Sequence, residues 1–342
     1  MKHTKQHLLF AAFMACALIA PPALATDDLE QAFDKVFGAQ PAARPAPAPA
    51  APVAALPVGP ASSFEARLAG LANAAHGRIG VAALDLSTGS GVSVMGDQPF
   101  PMASTVKVAI VATFLEGVDQ GRFRLTDRFP LMIPVPSRKF SSSVAPVHAG
   151  QALSALELIE LAITRSDNRA TDALLAAIGG PQAVDRWLHR AKIGGIHVNR
   201  DIATLVRDDG GVDPATTIDL RDSATPQAMA TLLAGLYQGQ WLSMASREVL
   251  LGAMSRCLTG VHRMKALVPD EAIIGHKTGT LSNTSSDVGF IRTADGHTVA
   301  LAIYVTGQGS RPGRESRIAT IARAVYDNFS DPAQGGSRVS LN

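Results

Sequence analysis

The sequence has 342 residues, of which 46% are hydrophobic, and it carries 31 basic and 29 acidic side chains. A formal charge of +2 excludes a protein that binds nucleic acid mainly by charge, and two cysteines exclude a disulfide scaffold. Nine scattered histidines without a His-Glu-x-x-His pair give no support for a metal site. We therefore expect a globular protein that needs no metal or other cofactor and does not bind nucleic acid.

The first 25 residues have the features of a secretory signal. Lys2 and Lys5 give a positively charged start, residues 8–20 are apolar, and Ala-Leu-Ala at 23–25 is a small-x-small cleavage site. The apolar run is shorter than the roughly 20 residues that a membrane span needs. Residues 1–25 are therefore predicted to be removed after export. The mature protein is then expected to be periplasmic or secreted, without a membrane span, and formally neutral.

Residues 26–61 are predicted to form an N-terminal segment outside the globular fold. Seven prolines lie between Pro41 and Pro60, mostly alternating with alanine, so this stretch lacks both helix-forming potential and large apolar groups. Such a composition favours an extended spacer. The globular domain is predicted over residues 62–331, and residues 332–342 are predicted to form a tail.

Hydrophobic periodicity predicts the elements of the globular domain in chain order. A helix begins at Ser63, and two strands at 78–86 and 91–95 form a hairpin. Helices are predicted at 106–116, 155–164, 170–178 and 227–237, strands at 273–275, 287–293 and 299–305, and a last helix at 318–329. Strands near both ends with helices between them predict an α/β fold, in which the two termini build a sheet and an all-helical subdomain is inserted.

The first chemical motif is Ser104-Thr105-Val106-Lys107, at the start of a predicted helix. The i, i+3 spacing brings the Ser104 hydroxyl and the Lys107 amine to one face, about one turn apart. A serine hydroxyl becomes a good nucleophile when a base takes its proton, and a desolvated lysine amine can act as that base. Because such pairs also occur by chance, this motif alone is a weak signal.

Two further motifs follow along the chain. Ser166-Asp167-Asn168 offers a hydroxyl that can relay a proton and an amide that can hold a carbonyl. Lys277-Thr278-Gly279-Thr280 offers a cation, hydroxyls and a glycine against which a substrate backbone can lie. A helix cap would explain the first motif and an edge strand the second, without any function. All three motifs in this order are hard to assign to chance.

This set of motifs resembles the class A β-lactamase and penicillin-binding-protein superfamily. The similarity runs from Ser63 to about Phe329 and is closest to class A proteins, since Thr259-Gly260 also keeps the class A spacing to Lys277. The resemblance implies a three-layer β-lactamase/transpeptidase-like fold with an antiparallel sheet. It also implies a serine enzyme that opens β-lactams through an acyl-enzyme.

The resemblance further implies a role for each motif residue. Ser104 would attack the lactam carbonyl, Lys107 would be a candidate base, and Ser166 would pass a proton to the departing nitrogen. Asn168 would hold the substrate amide, Lys277 would orient Ser166 and attract the anionic substrate, and Thr278 and Thr280 would bind its carboxylate. The oxyanion would lie between the backbone N–H groups of Ser104 and Thr280, and Gly279 would leave room for the substrate.

Two charged residues have implied roles at the edge of this site. Arg263 falls where some class A enzymes carry an arginine that helps to bind the carboxylate, although it could also be an ordinary surface arginine. Asp222 resembles the aspartate that holds the omega loop of class A enzymes through an ion pair, here with Arg200 or Arg207. Its expected role is structural.

The sequence departs from the class A pattern in the omega loop. Class A β-lactamases carry a Glu-x-x-Leu-Asn motif there, whose glutamate activates the water that hydrolyses the acyl-enzyme, but residues 199–221 contain no glutamate. Asp208, Asp209 and Asp213 are possible replacements, or else polar residues of a solvated loop. Without a base, the acyl-enzyme would persist.

Three functions therefore remain in view, in order of preference. The first is an exported serine β-lactamase, and the second is a penicillin-binding peptidase that acts on D-Ala-D-Ala stem peptides of peptidoglycan. The third is a non-catalytic sensor of β-lactams or peptidoglycan, which the intact set of Ser104, Lys107, Ser166 and Lys277 argues against. The expected partners are small β-lactams or stem peptides, and the protein is expected to be a monomer.

Overall fold

The computed structural model describes residues 63–330. The predicted signal, the Ala/Pro-rich segment and the C-terminal tail lie outside these residues. In chain order the strands are β1 (Ile79–Asp85), β2 (Gly91–Val94), β3 (Phe100–Pro101), β4 (Arg128–Pro134), β5 (Val147–Ser154), β6 (Ser223–Ala224), β7 (Ile273–Leu281), β8 (Thr284–Arg292) and β9 (Thr298–Thr306). The helices are α1 (Ser63–Leu71), α2 (Lys107–Asp119), α3 (Ala155–Thr164), α4 (Asn168–Ala177), α5 (Pro181–Arg190), α6 (Ile202–Arg207), α7 (Pro226–Tyr237), α8 (Met244–Ser255) and α9 (Arg311–Ser330).

A five-stranded antiparallel sheet forms the middle layer, with strand order β2-β1-β9-β8-β7. Every residue of the central strand β9 is buried, because the sheet is covered on both faces. The first and last parts of the described chain thus meet in one sheet. The predicted α/β fold, with an antiparallel sheet built from both ends of the domain, is confirmed.

Two hydrophobic cores separate the three layers. On one face of the sheet, α1 and α9 pack with residues such as Leu68, Val325 and Ile303. On the other face, the helical subdomain packs around α2, in which residues 107–115 are all buried. Among the described residues, no helix is long and apolar enough to cross a membrane.

Local signals explain several element boundaries. Helix α3 begins where predicted, because Ser154 and Glu157 form a capping box in which each side chain accepts the other residue's backbone N–H. The 3₁₀ turn Ala103–Val106 leads directly into α2, so the predicted helix at 106–116 begins one residue later, at Lys107. This turn, the α3–α4 connection and the end of β7 position the three motifs.

Candidate active site

Ser104 lies in the 3₁₀ turn, pressed against strand β7. A Cβ atom on Gly279 of β7 would lie 2.6 Å from the Met102 carbonyl oxygen and 3.0 Å from the Ala103 side chain, so only glycine allows this contact. Ala103 itself has a φ of +50°, a left-handed conformation that a residue with a side chain rarely adopts. The serine is therefore held rigidly at the edge of the sheet by strained and closely packed backbone.

Two buried lysines converge on the hydroxyl of Ser166. Lys107 Nζ donates to Ser166 Oγ at 3.2 Å, to the Ser166 carbonyl at 2.6 Å and to Asn168 Oδ1 at 2.7 Å. Lys277 Nζ donates to the same hydroxyl at 3.0 Å and to the Thr278 carbonyl at 2.8 Å. A hydroxyl has two lone pairs and one proton, so Ser166 can accept from both lysines and still donate its own proton elsewhere.

The connection between α3 and α4 sets the position of Ser166. Its φ of +58° turns the chain sharply, and Asp167 then caps α4 by accepting from the N–H groups of Arg169 and Ala170. Asn168, the first residue of α4, uses its Oδ1 for Lys107, which leaves its NH₂ group available to a substrate carbonyl. The motif thus serves both as the cap of a helix and as part of the site.

Burial changes the acid–base behaviour of both lysines. Desolvation lowers the pKa of Lys107 well below its usual range, and the nearby charge of Lys277 lowers it further. Desolvation also lowers the pKa of Lys277, to about 8. The site can therefore hold a neutral amine beside an ammonium group at a pH where exposed lysines are all charged.

Asp172 was missed by the sequence reasoning, although its position one turn after Asn168 on α4 brings it to the same side of the helix. Its buried carboxylate accepts from the backbone N–H groups of Ile202 at 2.7 Å and Ala203 at 2.8 Å, the first two residues of α6. Desolvation raises the pKa of Asp172 to about 7, and its charge acts on Lys107. Asp172 therefore ties the start of α6 to the neighbourhood of Lys107.

An ion pair closes the loop that contains α6. Asp222 Oδ2 accepts from Arg200 Nε at 2.6 Å, and Asp222 Oδ1 accepts from the backbone N–H groups of Asn199 and Arg200. Of the two partners considered for Asp222, the structure pairs it with Arg200, whereas Arg207 pairs with Asp208 at 2.8 Å. Residues 200–222 are called the omega segment below.

Replacing Asp222 with asparagine is expected to destabilise the protein by roughly 3 kcal/mol, because the largely buried Arg200 guanidinium would lose its counter-charge. For a domain of this size we expect the midpoint of thermal unfolding to fall by about 6–12 °C. Asp219→Asn is a matched control, since the Arg221–Asp219 pair is more exposed and should matter far less. Equal melting temperatures for the two variants would contradict a structural role of the Asp222 pair.

The three aspartates considered as bases fasten the omega segment to its surroundings. Asp208 accepts from Arg207 and from the Phe140 N–H, and the hydrogen bond from Arg207 lowers its pKa. Asp209 accepts from the Ser282 N–H, and Asp213 accepts from Asn283 Nδ2 at 2.8 Å. Within residues 63–330, none of the three hydrogen-bonds with Ser104, Lys107 or Ser166.

Arg263 reaches the site through Thr280. Its guanidinium is 1% exposed and donates to the Gly279 and Ser286 carbonyls at 2.8 and 2.9 Å, and to Glu315. Its remaining donor bonds the Thr280 hydroxyl at 2.6 Å. Arg263 is therefore not a surface residue. It braces the end of β7 and directs the hydroxyl of Thr280, the exposed residue of this motif.

Known proteins resemble this chain in both sequence and fold. A model described as the beta-lactamase enzyme family matches residues 63–329. A β-lactamase of Proteus vulgaris is 28% identical over 275 residues, which cover 80% of this chain and 98% of that protein. The β-lactamase CTX-M-25 of Escherichia coli is 29% identical, covering 79% of this chain and 90% of its own length. A solved class A β-lactamase of the last common ancestor of Gram-negative bacteria is 34% identical with a TM-score of 0.66, covering 78% of this chain and all of that one.

Proposed function

Because the chain belongs to the beta-lactamase enzyme family, we propose that it opens β-lactam rings by acylation of Ser104 and hydrolyses the resulting ester. The observation that carries this proposal is the convergence of Lys107 and Lys277 on the Ser166 hydroxyl. This arrangement joins a base, a proton relay and a cation in one hydrogen-bonded chain. A protein that only binds its ligand has no need for it.

In the acylation step, the neutral amine of Lys107 takes the proton of Ser104, whose oxygen forms a bond to the lactam carbonyl carbon. The ring C–N bond then breaks, and the nitrogen receives a proton from Ser166, which is replenished from Lys107 across their 3.2 Å contact. The lowered pKa of Lys107 supports this role, because a base must be unprotonated at the working pH. The products of the step are the Ser104 ester and the protonated ring nitrogen.

The substrate would be oriented by the residues around this chain. The NH₂ group of Asn168 is available for the acylamide carbonyl, and Thr278 and Thr280 are proposed to bind the carboxylate, with Arg263 fixing the Thr280 hydroxyl. The N–H groups of Ser104 and Thr280 would stabilise the oxyanion, each contributing roughly 10²–10³ in rate. The tight packing of Gly279 on Met102 and Ala103 supports this pairing, because it holds the two N–H groups at a fixed separation.

A second candidate, a penicillin-binding peptidase with a long-lived acyl-enzyme, is favoured by the composition of α6. If Leu205 is the leucine of Glu-x-x-Leu-Asn, then Ile202 occupies the place of the glutamate and Val206 that of the asparagine. Asp172 ties the N–H of Ile202 to the neighbourhood of Lys107, so an apolar residue lies where a base would be useful. Hydrolysis of the ester would then be the slow step.

We also propose that residues 1–25 direct export and are then removed. The charged start, the short apolar run and the Ala-Leu-Ala site support this. Export would bring the enzyme to the compartment where β-lactams and peptidoglycan stem peptides are met. Mass spectrometry of the protein purified from the cell envelope tests it, and a mature start other than Thr26 would contradict the assignment.

Intact-mass measurement after mixing the protein with a penicillin tests the function. A β-lactamase is expected to show an adduct on Ser104 that disappears as hydrolysed penicillin accumulates. A stable adduct without turnover supports the peptidase and rejects the hydrolase. If no adduct forms and Ser104→Ala binds penicillin as well as the native protein does, both acyl-enzyme proposals are wrong.

The aspartates of the omega segment are tested one at a time. If one of them activates water in the hydrolase, then Asp208→Asn, Asp209→Asn or Asp213→Asn is expected to lengthen the life of the acyl-enzyme by about 10²-fold or more, since that is the usual contribution of a general base. The lifetime is measured by intact mass after excess penicillin is removed. Asp219→Asn again serves as the control, and unchanged lifetimes in all three variants would exclude an aspartate base.

A further inference from the structure

A second cluster of ionisable side chains lies behind the substrate-binding strand and has no part in the mechanism above. His276 and Asp287 are fully buried, and His276 Nδ1 lies 2.8 and 3.0 Å from the two carboxylate oxygens of Asp287. Cys257, which follows α8 and is 5% exposed, lies next to the imidazole. His276 Nε2 has no hydrogen-bond partner among the described residues, while the imidazole and the thiol influence each other's pKa.

The cluster favours charged forms of both ring and thiol. Burial lowers the pKa of His276, but the Asp287 carboxylate and, to a smaller extent, Cys257 outweigh this and raise it to about 9. Burial raises the pKa of the Cys257 thiol, but His276, the hydrogen bond with Thr259 and the charge of Lys277 together outweigh this and lower it to about 7. Cys257 can therefore change its charge near neutral pH while His276 stays protonated.

A chain of hydroxyl groups connects Cys257 with the substrate site. Cys257 Sγ lies 3.3 Å from Thr259 Oγ1, and Thr259 Oγ1 lies 2.5 Å from Thr278 Oγ1. His276 and Thr278 lie two residues apart on β7, so their side chains share one face of the sheet, and Lys277 between them faces the other way. Asp287 pairs with Thr278 across the ladder and therefore lies on the same face as His276 and Thr278. Thr278 is a residue proposed above to bind the substrate carboxylate.

Each hydroxyl in this chain has one proton to donate, so the chain can point in only two directions. A thiolate is an acceptor and draws the Thr259 proton toward sulfur. Thr259 then accepts from Thr278, which leaves only lone pairs of Thr278 facing the substrate. A protonated thiol can instead donate to Thr259, which donates to Thr278, and the Thr278 proton becomes available to an anion.

We propose that Cys257 determines how strongly Thr278 binds an anionic substrate, by setting the direction of the Cys257–Thr259–Thr278 hydrogen-bond chain. Cys257 and His276 are thus positioning residues, and the inference rests on the proposed function of Thr278. The protonated thiol favours binding of the substrate carboxylate, and the thiolate opposes it. Ionisation of a group with no substrate contact thereby changes substrate affinity.

Several other charged groups lie near Cys257, and their effects on KM must be separated from that of the thiol. Lys277 of β7 and Asp287 of β8 act on the cluster electrostatically, and Lys265 donates to the Cys257 carbonyl at 3.2 Å. The preceding Arg256 is paired with Glu160 of α3. Of these, Lys277 also touches the proposed catalytic chain, so a loss of its proton near its own pKa of about 8 must be separated from that of Cys257.

The ionisation of Cys257 is measured first, without substrate. The ultraviolet absorbance of the thiolate is recorded against pH for the full chain, with Cys257→Ser as the blank. We expect a transition near pH 7 that moves toward the ordinary cysteine value in His276→Asn. A transition at the ordinary cysteine value in the native protein would overturn the inference, whatever the protein does with β-lactams.

The effect on binding is then measured with a penicillin as substrate. From one pH unit below the thiol pKa to one unit above it, KM is expected to rise about tenfold in the native protein, as for loss of a hydrogen bond to a charged group. In Cys257→Ser, which keeps a hydroxyl that does not ionise, this rise should disappear, leaving only the later change that follows Lys277. Cys257→Ala should also remove the rise in KM around the thiol pKa.

Thr259→Val separates the chain from a general electrostatic effect. It keeps the thiol beside His276, but loss of the Thr259 hydrogen bond is expected to raise the thiol pKa, so the absorbance titration is repeated on this variant. Because the connection to Thr278 is interrupted, KM should no longer change across the thiol transition. A KM profile that is the same in native protein, Cys257→Ser and Thr259→Val overturns the inference while acylation still supports the function. Absence of any acylation contradicts the proposed function. The absorbance titration needs no substrate, so it still tests the ionisation of Cys257 in that case.

Discussion

Replacing Ser104 with alanine is expected to eliminate the penicillin adduct and to reduce hydrolysis by about 10⁴-fold or more, as found when a serine nucleophile is removed from a catalytic group that acts as a unit. The physical reason is that Lys107, Ser166 and Lys277 are still present to move protons, but the hydroxyl proposed to form the ester with the lactam carbonyl carbon is gone. Intact mass measures the adduct, and loss of lactam absorbance measures turnover.

The control for this variant is Ser316→Ala, an exposed serine on α9, across the sheet from the site. It should form the adduct at the native rate. Alanine at 104 is not expected to disturb the fold, because Ala103 and Met102, which contact Gly279, are retained. An adduct of full occupancy in folded Ser104→Ala would mean that another residue is the nucleophile.

The second large effect is expected from Ile202→Glu. With Leu205 as the leucine of Glu-x-x-Leu-Asn, Ile202 takes the place of the glutamate, and its backbone is held by Asp172, which acts electrostatically on Lys107. On this alignment we expect a carboxylate at 202 to activate water for attack on the acyl ester. If hydrolysis of the ester is limited by water activation, its rate should rise by roughly 10²-fold or more. The rate of adduct formation should change much less, and both rates can be followed by mass in one experiment.

Ile202→Gln is the matched control for this substitution. Glutamine has nearly the same size and shape as glutamate and is also polar, but it is neutral and cannot act as a base; both variants place a polar group where Ile202 is 2% exposed. Thermal unfolding of both variants shows whether they remain folded. If glutamate and glutamine give the same acyl-enzyme lifetime in folded proteins, α6 is not where water is activated.

The sequence predicts the sheet and the main helices well because their residues follow simple periods. Strands β8 and β9 are almost entirely buried, and their β-branched runs stand out. In β7 the apolar run at 273–275 is only the start of a strand that continues through the Lys277 motif to Leu281. Helices α5, α6 and α8 and the β4–β5 hairpin are not predicted. Helix α8 buries Arg247 and Glu248, and β4 and β5 are only partly buried, so neither gives a clean pattern of polar and apolar residues.

The site is less predictable, since its contacts join distant parts of the chain. Spacing alone relates Ser104 to Lys107, but Lys107 and Ser166 are 59 residues apart, and Ser166 and Lys277 are 111 apart. Only the resemblance to a known family brings those residues together in advance. The sequence does not predict that Cys257, His276 and Asp287 meet. His276 and Thr278 two residues apart on β7 are also what an ordinary buried strand would show.

The position of Gly279 against Met102 and Ala103 also bears on when the protein becomes active during folding. Strand β7 is supplied late in the chain, and until it docks on the turn of Ser104 the serine has neither Lys277 nor the N–H of Thr280 beside it. Contacts of such long sequence separation form late, because the intervening chain must first be ordered. If Ser104 is the nucleophile, as proposed, a growing or partly folded chain would carry it in an inert form, and reactivity toward acylating compounds would report that the last strands have been added to the sheet.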